Sequence, residues 1–428
     1  MTSPDYISRI ADNEVERALR AVGAVAIEGP RGCGKTETAR RKAASELLLD
    51  LDPDIERRLA LAPASVLEGP PPRLLDEWQL VPAIWDHVRR AVDGRREPGQ
   101  FLLTGSSRPE DRARRHSGAG RFATVRMRPL TLWETQPPHP HLSVASLLRG
   151  HAAGDTTGDV PPAAMDFSDY LEAIVRGGWP GNLGRDLDAA MVANRGYVDA
   201  IVEVDLATAF GARRDPWRIR RFLHAYAQLT AQPARVQTIV DRAAADAGED
   251  GPSRQVVSGP YLDAVRRCMI VDELAAWQPS VRSSVRQIGV PKRHLADPSL
   301  AAALLDMSPD RLIADLETLG FLFESLATRD LRVYAQAAGA SCAHYRQRDG
   351  RGEIDVIVQN NGSGRWVGFE IKLGSNPETI DKAAEQLVRV AATVTAPPAE
   401  LVVVTSGTYG YRRPQDGVLV VPLAALGP

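Results

Sequence analysis

Apolar residues in the first third of the chain fall in short unbroken runs: Ala24-Val25-Ala26-Ile27, Leu47-Leu48-Leu49, Leu74-Leu75 and Phe101-Leu102-Leu103. Runs of this length without alternation read as strands buried on both faces, and the polar stretches between them suit crossover helices. The pattern therefore predicts a parallel sheet with helices on both sides, reaching to about Glu134. From Asp166 the period becomes helical, with Tyr170, Leu171, Ile174 and Val175 on one face, until Gly177-Gly178-Trp179-Pro180-Gly181 breaks it. Helices are predicted over 222–229, 236–244 and 258–267, and strands over 269–277 and 285–290. The last block predicts an amphipathic helix over 311–327 and a strand over 331–335. Two strands follow, over 353–358 and 366–372, joined by the turn Asn361-Gly362-Ser363-Gly364. A helix over 380–394 and a strand over 401–404 complete the block.

Chemistry enters at the end of the first strand. Gly29-Pro30-Arg31-Gly32-Cys33-Gly34-Lys35-Thr36 fits G-x-x-x-x-G-K-[ST] without a gap, between a strand and a helix start. The glycines let successive N–H groups turn toward an anion. Lys35 would reach the β and γ phosphates of ATP, and the Thr36 hydroxyl would ligate Mg²⁺. The second anchor is Asp76 at the end of its strand, which would hold the Mg²⁺ shell, with Glu77 polarising the attacking water. Thr104, in Thr104-Gly105-Ser106-Ser107, would sit beside the γ-phosphate. Arg121, in Gly118-Ala119-Gly120-Arg121, is a candidate charge-stabilising finger among many neighbouring arginines (Arg108, Arg112, Arg114, Arg115).

A second constellation lies near the C-terminus. Glu370 and Lys372 are two apart on one strand and share a face. If the hairpin turns at Asn361–Gly364, Asp355 comes level with Glu370 on that face, beside Glu324 of the preceding helix. Oxygen-rich surroundings of this type suit Mg²⁺ or Mn²⁺, which would make Glu324, Asp355 and Glu370 metal ligands and Lys372 the residue that orients or deprotonates a water.

The 428 residues leave room for two to four domains. Lys and Arg number 52 against 54 Asp and Glu, so no overall field draws the chain to nucleic acid, membrane or an acidic partner. Residues 206–295 are the exception, with fourteen Lys and Arg against eight Asp and Glu. Arg254, Arg266, Arg267, Arg282, Arg286, Lys292 and Arg293 would meet phosphates if they share a face. This segment reads as a helical bundle ending in a winged-helix shape. Three scattered cysteines exclude a disulfide framework and suit a reducing compartment. With no apolar run of membrane length and no signal-peptide pattern, the expectation is a cytoplasmic protein without a membrane partner.

The order helix, three strands, helix, strand with D…E-x-K resembles the PD-(D/E)xK nuclease superfamily. That resemblance assigns catalytic and metal-binding roles to Asp355, Glu370 and Lys372, a supporting role to Glu324 and an auxiliary one to Gln386. Across nearly its whole length the chain is similar to a prokaryotic family of AAA-type ATPases with a C-terminal domain of unknown function. The phosphate loop, Leu75-Asp76-Glu77-Trp78-Gln79 and Leu103-Thr104-Gly105-Ser106 carry the likeness. It continues through Arg176-Gly177-Gly178-Trp179-Pro180, Phe323-Glu324-Ser325-Leu326, Tyr345-Arg346, Gly352-Glu353-Ile354-Asp355 and Glu370-Ile371-Lys372. AAA-type ATPases place a polar sensor where Thr104 stands, and in some of them a Gly-x-Pro element packs against the adenine; the alternative here is a plain turn between helices.

The expected fold is α/β in four parts. Residues 1–135 form an AAA-type P-loop core with a parallel sheet, and 136–165 a Pro/Gly-rich linker or mobile insertion. Residues 166–295 form a helical and winged-helix-like segment, and 296–428 a PD-(D/E)xK-like domain. The expected activity is ATP hydrolysis coupled to Mg²⁺- or Mn²⁺-dependent cleavage of nucleic acid, DNA ahead of RNA, with a homo-oligomer allowed. The competing reading is a nucleotide-switched DNA- or protein-binding regulator or scaffold whose nuclease-like domain is catalytically silent.

Overall fold

The computed structural model describes residues 6–107, 118–150, 160–206, 215–245, 254–278, 289–347 and 352–428. The chain forms two compact units. One holds the residues up to Leu130 with Trp179–Gly181 and Val265–Ile270; the other holds Thr131–Gly178, Asn182–Ala264 and Val271–Pro428.

The N-terminal unit is built on a five-stranded sheet in the order Ser45–Leu48, Arg73–Asp76, Phe101–Gly105, Ala24–Glu28, Phe122–Arg126, with every pairing parallel. Val25, Ala26, Ile27, Leu102 and Leu103 are fully buried, as unbroken apolar runs require when helices cover both faces. Helices Ile55–Leu61 and Ile84–Arg95 close one side through Ile55, Leu59, Ile84, Val88 and Val92. Because all the strands run the same way, the turns after Glu28, Asp76 and Gly105 gather at one edge.

The second unit carries a six-stranded sheet ordered Tyr411–Arg412, Leu419–Pro422, Glu400–Thr405, Trp366–Lys372, Glu353–Asn360, Ala340–Arg346. The 22-residue helix Leu316–Ala337 precedes it, and Pro377–Ala391 lies between its third and fourth strands in chain order. The expected strand at 331–335 is part of that long helix. Leu319, Leu322, Phe323, Leu326, Tyr334 and Ala335 continue a single helical stripe, and the first strand begins after Gly339, whose φ of +64° ends the helix. The amphipathic stretch 311–327 is two helices, Pro309–Ala314 and Leu316–Ala337, parted where Asp315 caps the second by accepting from the Thr318 N–H.

Earlier in the chain than that long helix come the helices Pro216–Ala227, Val236–Ala245 and Arg254–Arg267. Chain segments around 271–276 and 292–295 then pair antiparallel through Val271 with Leu295 and Leu274 with Lys292, and Thr230 bridges Arg293. The return strand thus lies at 292–295; the expected 285–290 falls largely outside the described residues. Ala276 in turn bridges His344, which attaches this hairpin to the Ala340–Arg346 edge strand. Trp277 seals the joint, its indole donating to Gln359 at 3.0 Å and its ring 4.9 Å from that of Trp366. Part of the expected linker is folded as well. Leu142–Ser143 pairs with Leu426–Gly427, and the helix Val144–Arg149 follows. Among the described residues no helix is long and apolar enough to cross a membrane.

Candidate functional site

The first constellation lies at the C-terminal edge of the parallel sheet. Gly32 and Gly34 take φ of +77° and +100°, the left-handed region that a side chain disfavours, and so curl the loop around its own amides. A Cβ on Gly29 would fall 2.3 Å from the Met127 carbonyl oxygen, so the loop lies against its neighbour strand too closely for any other residue. Lys35 is buried and its ammonium donates to the Pro30 carbonyl at 3.0 Å, across the mouth of the loop. The Thr36 hydroxyl donates to Asp76 Oδ1 at 2.9 Å, and Thr104 Oγ1 donates to the same oxygen. Burial raises the Asp76 pKa, and those two hydroxyls work in the opposite direction.

Glu77 is held at φ +54°, a left-handed conformation that costs a non-glycine residue on the order of 1 kcal/mol. Its carboxylate accepts from Ser106 Oγ at 3.1 Å and from the Gln79 amide, and its N–H points at Thr104 Oγ1. The structure therefore brings Lys35, Thr36, Asp76, Glu77 and Thr104 together, with Gln79 and Ser106 orienting the acid. Oxygen donors 2.9 Å apart on Thr36 and Asp76 suit a Mg²⁺ shell carried by a bound nucleotide.

Arg121 does not join them. It precedes a strand whose Phe122 is level with Ala24, at the opposite edge of the sheet, a strand length of roughly 15 Å away. There its guanidinium pairs with Asp93 at 2.8 Å. Arg108, Arg112, Arg114 and Arg115 lie outside the described residues.

Two further groups stand at the loop, and the first of them carries no local sequence signal. Arg9, before the first helix, is buried and donates to the carbonyls of Cys33 and Arg128, both at 2.7 Å, fastening the phosphate loop to the strand-end behind it. Lysine has one point charge where arginine has a fork, so Arg9→Lys is expected to lose one of the two anchors. Nucleotide affinity should fall about tenfold, the equivalent of one charge-assisted hydrogen bond, as read by titration with a fluorescent ATP analogue. The second group is the Trp179-Pro180-Gly181 turn, which belongs to this unit; a Cβ on Gly34 would lie 3.6 Å from Pro180 Cγ.

The second constellation lies on the six-stranded sheet. Val356 pairs with Phe369, which sets Asp355 level with Glu370 and Glu353 level with Lys372. Lys372 Nζ bonds Glu370 Oε1 at 2.8 Å and lies 3.8 Å from Asp355 Oδ2. Gln386 on the helix behind donates to Glu370 Oε1 at 3.2 Å. Asp355 Oδ2 also accepts the Ile371 N–H at 2.9 Å.

At the centre is a residue from outside the predicted set, Lys292. Its ammonium reaches Glu324 Oε1 at 2.7 Å, Asp355 Oδ1 at 2.8 Å and Glu353 Oε1 at 3.0 Å, with the side chain 1 % exposed. Burial pushes Glu324 and Glu370 up to about 8, and in both the Asp355 charge adds to it. Burial would raise Asp355 too, but Lys292 and then Lys372 outweigh it and hold that acid down at about 2.

The basic set of the middle segment is correspondingly reduced. Lys292 is spent on this cluster, and Arg293 is buried, pairing with Glu273 and donating to the Ala234 carbonyl at 2.8 Å. Neither is available to a phosphate backbone, contrary to the sequence expectation. Arg282 and Arg286 lie outside the described residues, as does the side chain of Arg254. A run of basic residues at the surface and a buried lysine inside an acid cluster look alike in sequence; only the pairing partner, tens of residues away, separates them.

Three family models match successive parts of the chain. Residues 22–136 match an AAA domain, residues 167–311 a domain of unknown function (DUF8612), and residues 319–426 another domain of unknown function (DUF4143). The N-terminal unit is thus of the P-loop AAA type, in agreement with its sheet order and its loop. Two uncharacterized proteins, Rv2008c of Mycobacterium tuberculosis and Mb2031c of Mycobacterium bovis, are each 26% identical over 426 residues, covering 97% of this chain and 83% of the relative. Among solved structures, the Walker-type ATPase PABY2304 of Pyrococcus abyssi is similar over 71% of this chain and 97% of its own, at 15% identity and a TM-score of 0.40.

Proposed function

We propose that this protein is an ATP-hydrolysing nucleotide switch that controls a binding function of its C-terminal unit. The observation that carries the first half is the convergence of Thr36 and Thr104 on Asp76 Oδ1 beside a strained Glu77. ATP would lie along Gly29, Pro30, Arg31, Gly32, Cys33, Gly34, Lys35 and Thr36, with the loop amides and Lys35 taking the charge of the β and γ phosphates. Thr36 and Asp76 would hold Mg²⁺, which supplies charge neutralisation at the phosphates when bound. Glu77 takes the proton of the attacking water, Ser106 and Gln79 fix its carboxylate, and Thr104 marks the γ-phosphate position. The Pro180 turn beside Gly34 is placed to meet the nucleotide from the loop side.

The second half rests on the C-terminal cluster, where Lys292 already pairs with Glu324 and Asp355, acids that a metal-dependent nuclease would keep open. The helix, hairpin and return-strand arrangement of 216–295 supports a winged-helix-like binding segment. A second reading, ATP-coupled cleavage of DNA by Asp355, Glu370 and Lys372 with Mg²⁺ or Mn²⁺, is favoured by the element order and the D…E-x-K register. Phosphate release and cleavage of labelled single-stranded, duplex and branched DNA, each with and without ATP and Mn²⁺, test both. Hydrolysis lost in Lys35→Ala with DNA left intact supports the switch. Cleavage lost in Lys372→Ala supports the nuclease, and absence of ATP turnover overturns the first half.

A further inference from the structure

The acid cluster around Asp355 would be expected to need a divalent ion, yet its side chains do not fit one as they stand. A bound Mg²⁺ demands oxygens at about 2.0–2.1 Å in an octahedron and keeps several waters. Here the space between three of the carboxylates is filled by an ammonium 2.7–3.0 Å from each. An ammonium has no acceptor; this one donates to Glu324 Oε1 and Asp355 Oδ1 and pairs with Glu353 Oε1 at 3.0 Å. Any dication drawn to the same oxygens would meet that positive charge within a few ångströms, in surroundings too dry to screen it.

Nothing in the backbone suggests that Lys292 is a passing visitor. Its N–H donates to the Leu274 carbonyl at 2.9 Å and its carbonyl accepts from the Leu274 N–H at 3.0 Å, so it is stitched into the hairpin on both sides. His344 and Trp277 join that hairpin to the sheet, the Trp277 N–H reaching the His344 carbonyl at 2.6 Å. One acceptor of the cluster, Glu370 Oε2, is buried and has no hydrogen-bond partner among the described residues. It marks where a further ligand of the cluster would attach were the ammonium gone.

We infer that the Lys292 ammonium is the resident cation of Glu324, Glu353 and Asp355, beside a Glu370 paired with Lys372, and holds the place of a divalent metal. The C-terminal fold is therefore complete without metal, and the charge that would serve cleavage serves to weld the middle hairpin onto the sheet. This rests on reading the C-terminal unit as a binding module rather than a nuclease. It also makes a chemical prediction of its own: removing the lysine leaves Glu324, Glu353 and Asp355 around an unfilled centre, with Lys372 still held on Glu370 Oε1 and Glu370 Oε2 turned free, a set of hard oxygen ligands suited to Mn²⁺.

The test is Mn²⁺ binding by the full-length, metal-stripped protein in the absence of nucleotide, followed by the electron paramagnetic resonance of free Mn²⁺. Wild type is expected to show no equivalent of bound Mn²⁺ that depends on Glu370. Lys292→Ala is expected to gain one equivalent, with its unfolding midpoint moving upward as Mn²⁺ is added while that of wild type stays put. Loss of the gained equivalent in Lys292→Ala/Glu370→Gln would locate it. An equivalent bound by wild type and lost in Glu370→Gln overturns the inference, as does a folded Lys292→Ala that binds none. Should Lys292→Ala fold poorly, the wild-type comparison with Glu370→Gln decides alone. Wild-type Mn²⁺ binding that is unchanged in Glu370→Gln lies outside this cluster and is the result expected if Lys292 fills it. Failure of ATP turnover would remove the switch without altering any of these Mn²⁺ readings.

Discussion

Glu77→Gln is expected to lower ATP turnover by about 10²–10⁴-fold, the contribution of a positioned general base, while leaving nucleotide affinity nearly unchanged. The carboxylate is aimed by Ser106 and Gln79 and carried on a left-handed residue, an arrangement that invests backbone strain in a single side-chain position. Glutamine keeps the shape and most of the hydrogen bonds but accepts no proton. Measured by phosphate release beside equilibrium binding of a fluorescent ATP analogue, the two readouts should separate by orders of magnitude. Equal losses in both would mean that Glu77 supports the loop and does not take part in the reaction. Lys35→Ala should differ in kind, losing affinity along with turnover, because in the proposed site the lysine would meet the phosphates in the ground state as well.

The second large effect concerns stability. Arg329 is buried with Asp297 at 2.7 Å and Asp330 at 2.8 Å, and both aspartates are fully buried. Asp330 Oδ2 also accepts the Leu132 N–H at 2.9 Å and Asp297 Oδ2 the Gly178 N–H at 3.0 Å, so one guanidinium supports the junction of four chain segments. Arg329→Met leaves two carboxyl groups in a dry interior without their counter-charge. The C-terminal unit should lose about 3–5 kcal/mol in urea unfolding. Arg220→Met, which breaks an exposed pair with Asp199, should cost less than about 1 kcal/mol.

The pH dependence follows from Asp330, whose pKa burial raises to about 6 although Arg329 opposes it. A raised acid favours the folded state while protonated, so its contribution is full below its unfolded value, near 4, and is lost as the pH rises through about 6. Without Arg329 the cost of ionising it grows, so the Arg329→Met defect should be larger at pH 7 than at pH 5. A defect independent of pH across that window would assign the loss to packing of the long side chain.

How much of this was written in the chain can be judged element by element. The phosphate loop, the strand before it and the Asp76-Glu77 pair were legible because each depends on neighbours within a few residues. A glycine at positive φ, a buried apolar run and an acid at a strand end all leave local marks. The register that sets Asp355 level with Glu370 was legible too, since a hairpin turn fixes the pairing of everything beyond it. Leu331–Ala335 misled because five apolar-rich residues satisfy strand and helix alike, and only packing along the whole Leu316–Ala337 stripe decides.

What tertiary structure alone decided is the meaning of charge. Arg121 has the composition of a finger and the position of a tie at the far edge of the sheet. Lys292 sits in the most basic stretch of the chain and turns out to lie inside an acid cluster, 32 residues from Glu324 and 63 from Asp355. Arg9 holds a loop two dozen residues away. Hydrophobic pattern is periodic and is read by the backbone locally, so sequence shows it. An ion pair between distant segments has no period, and its energy depends on the burial that the finished fold creates.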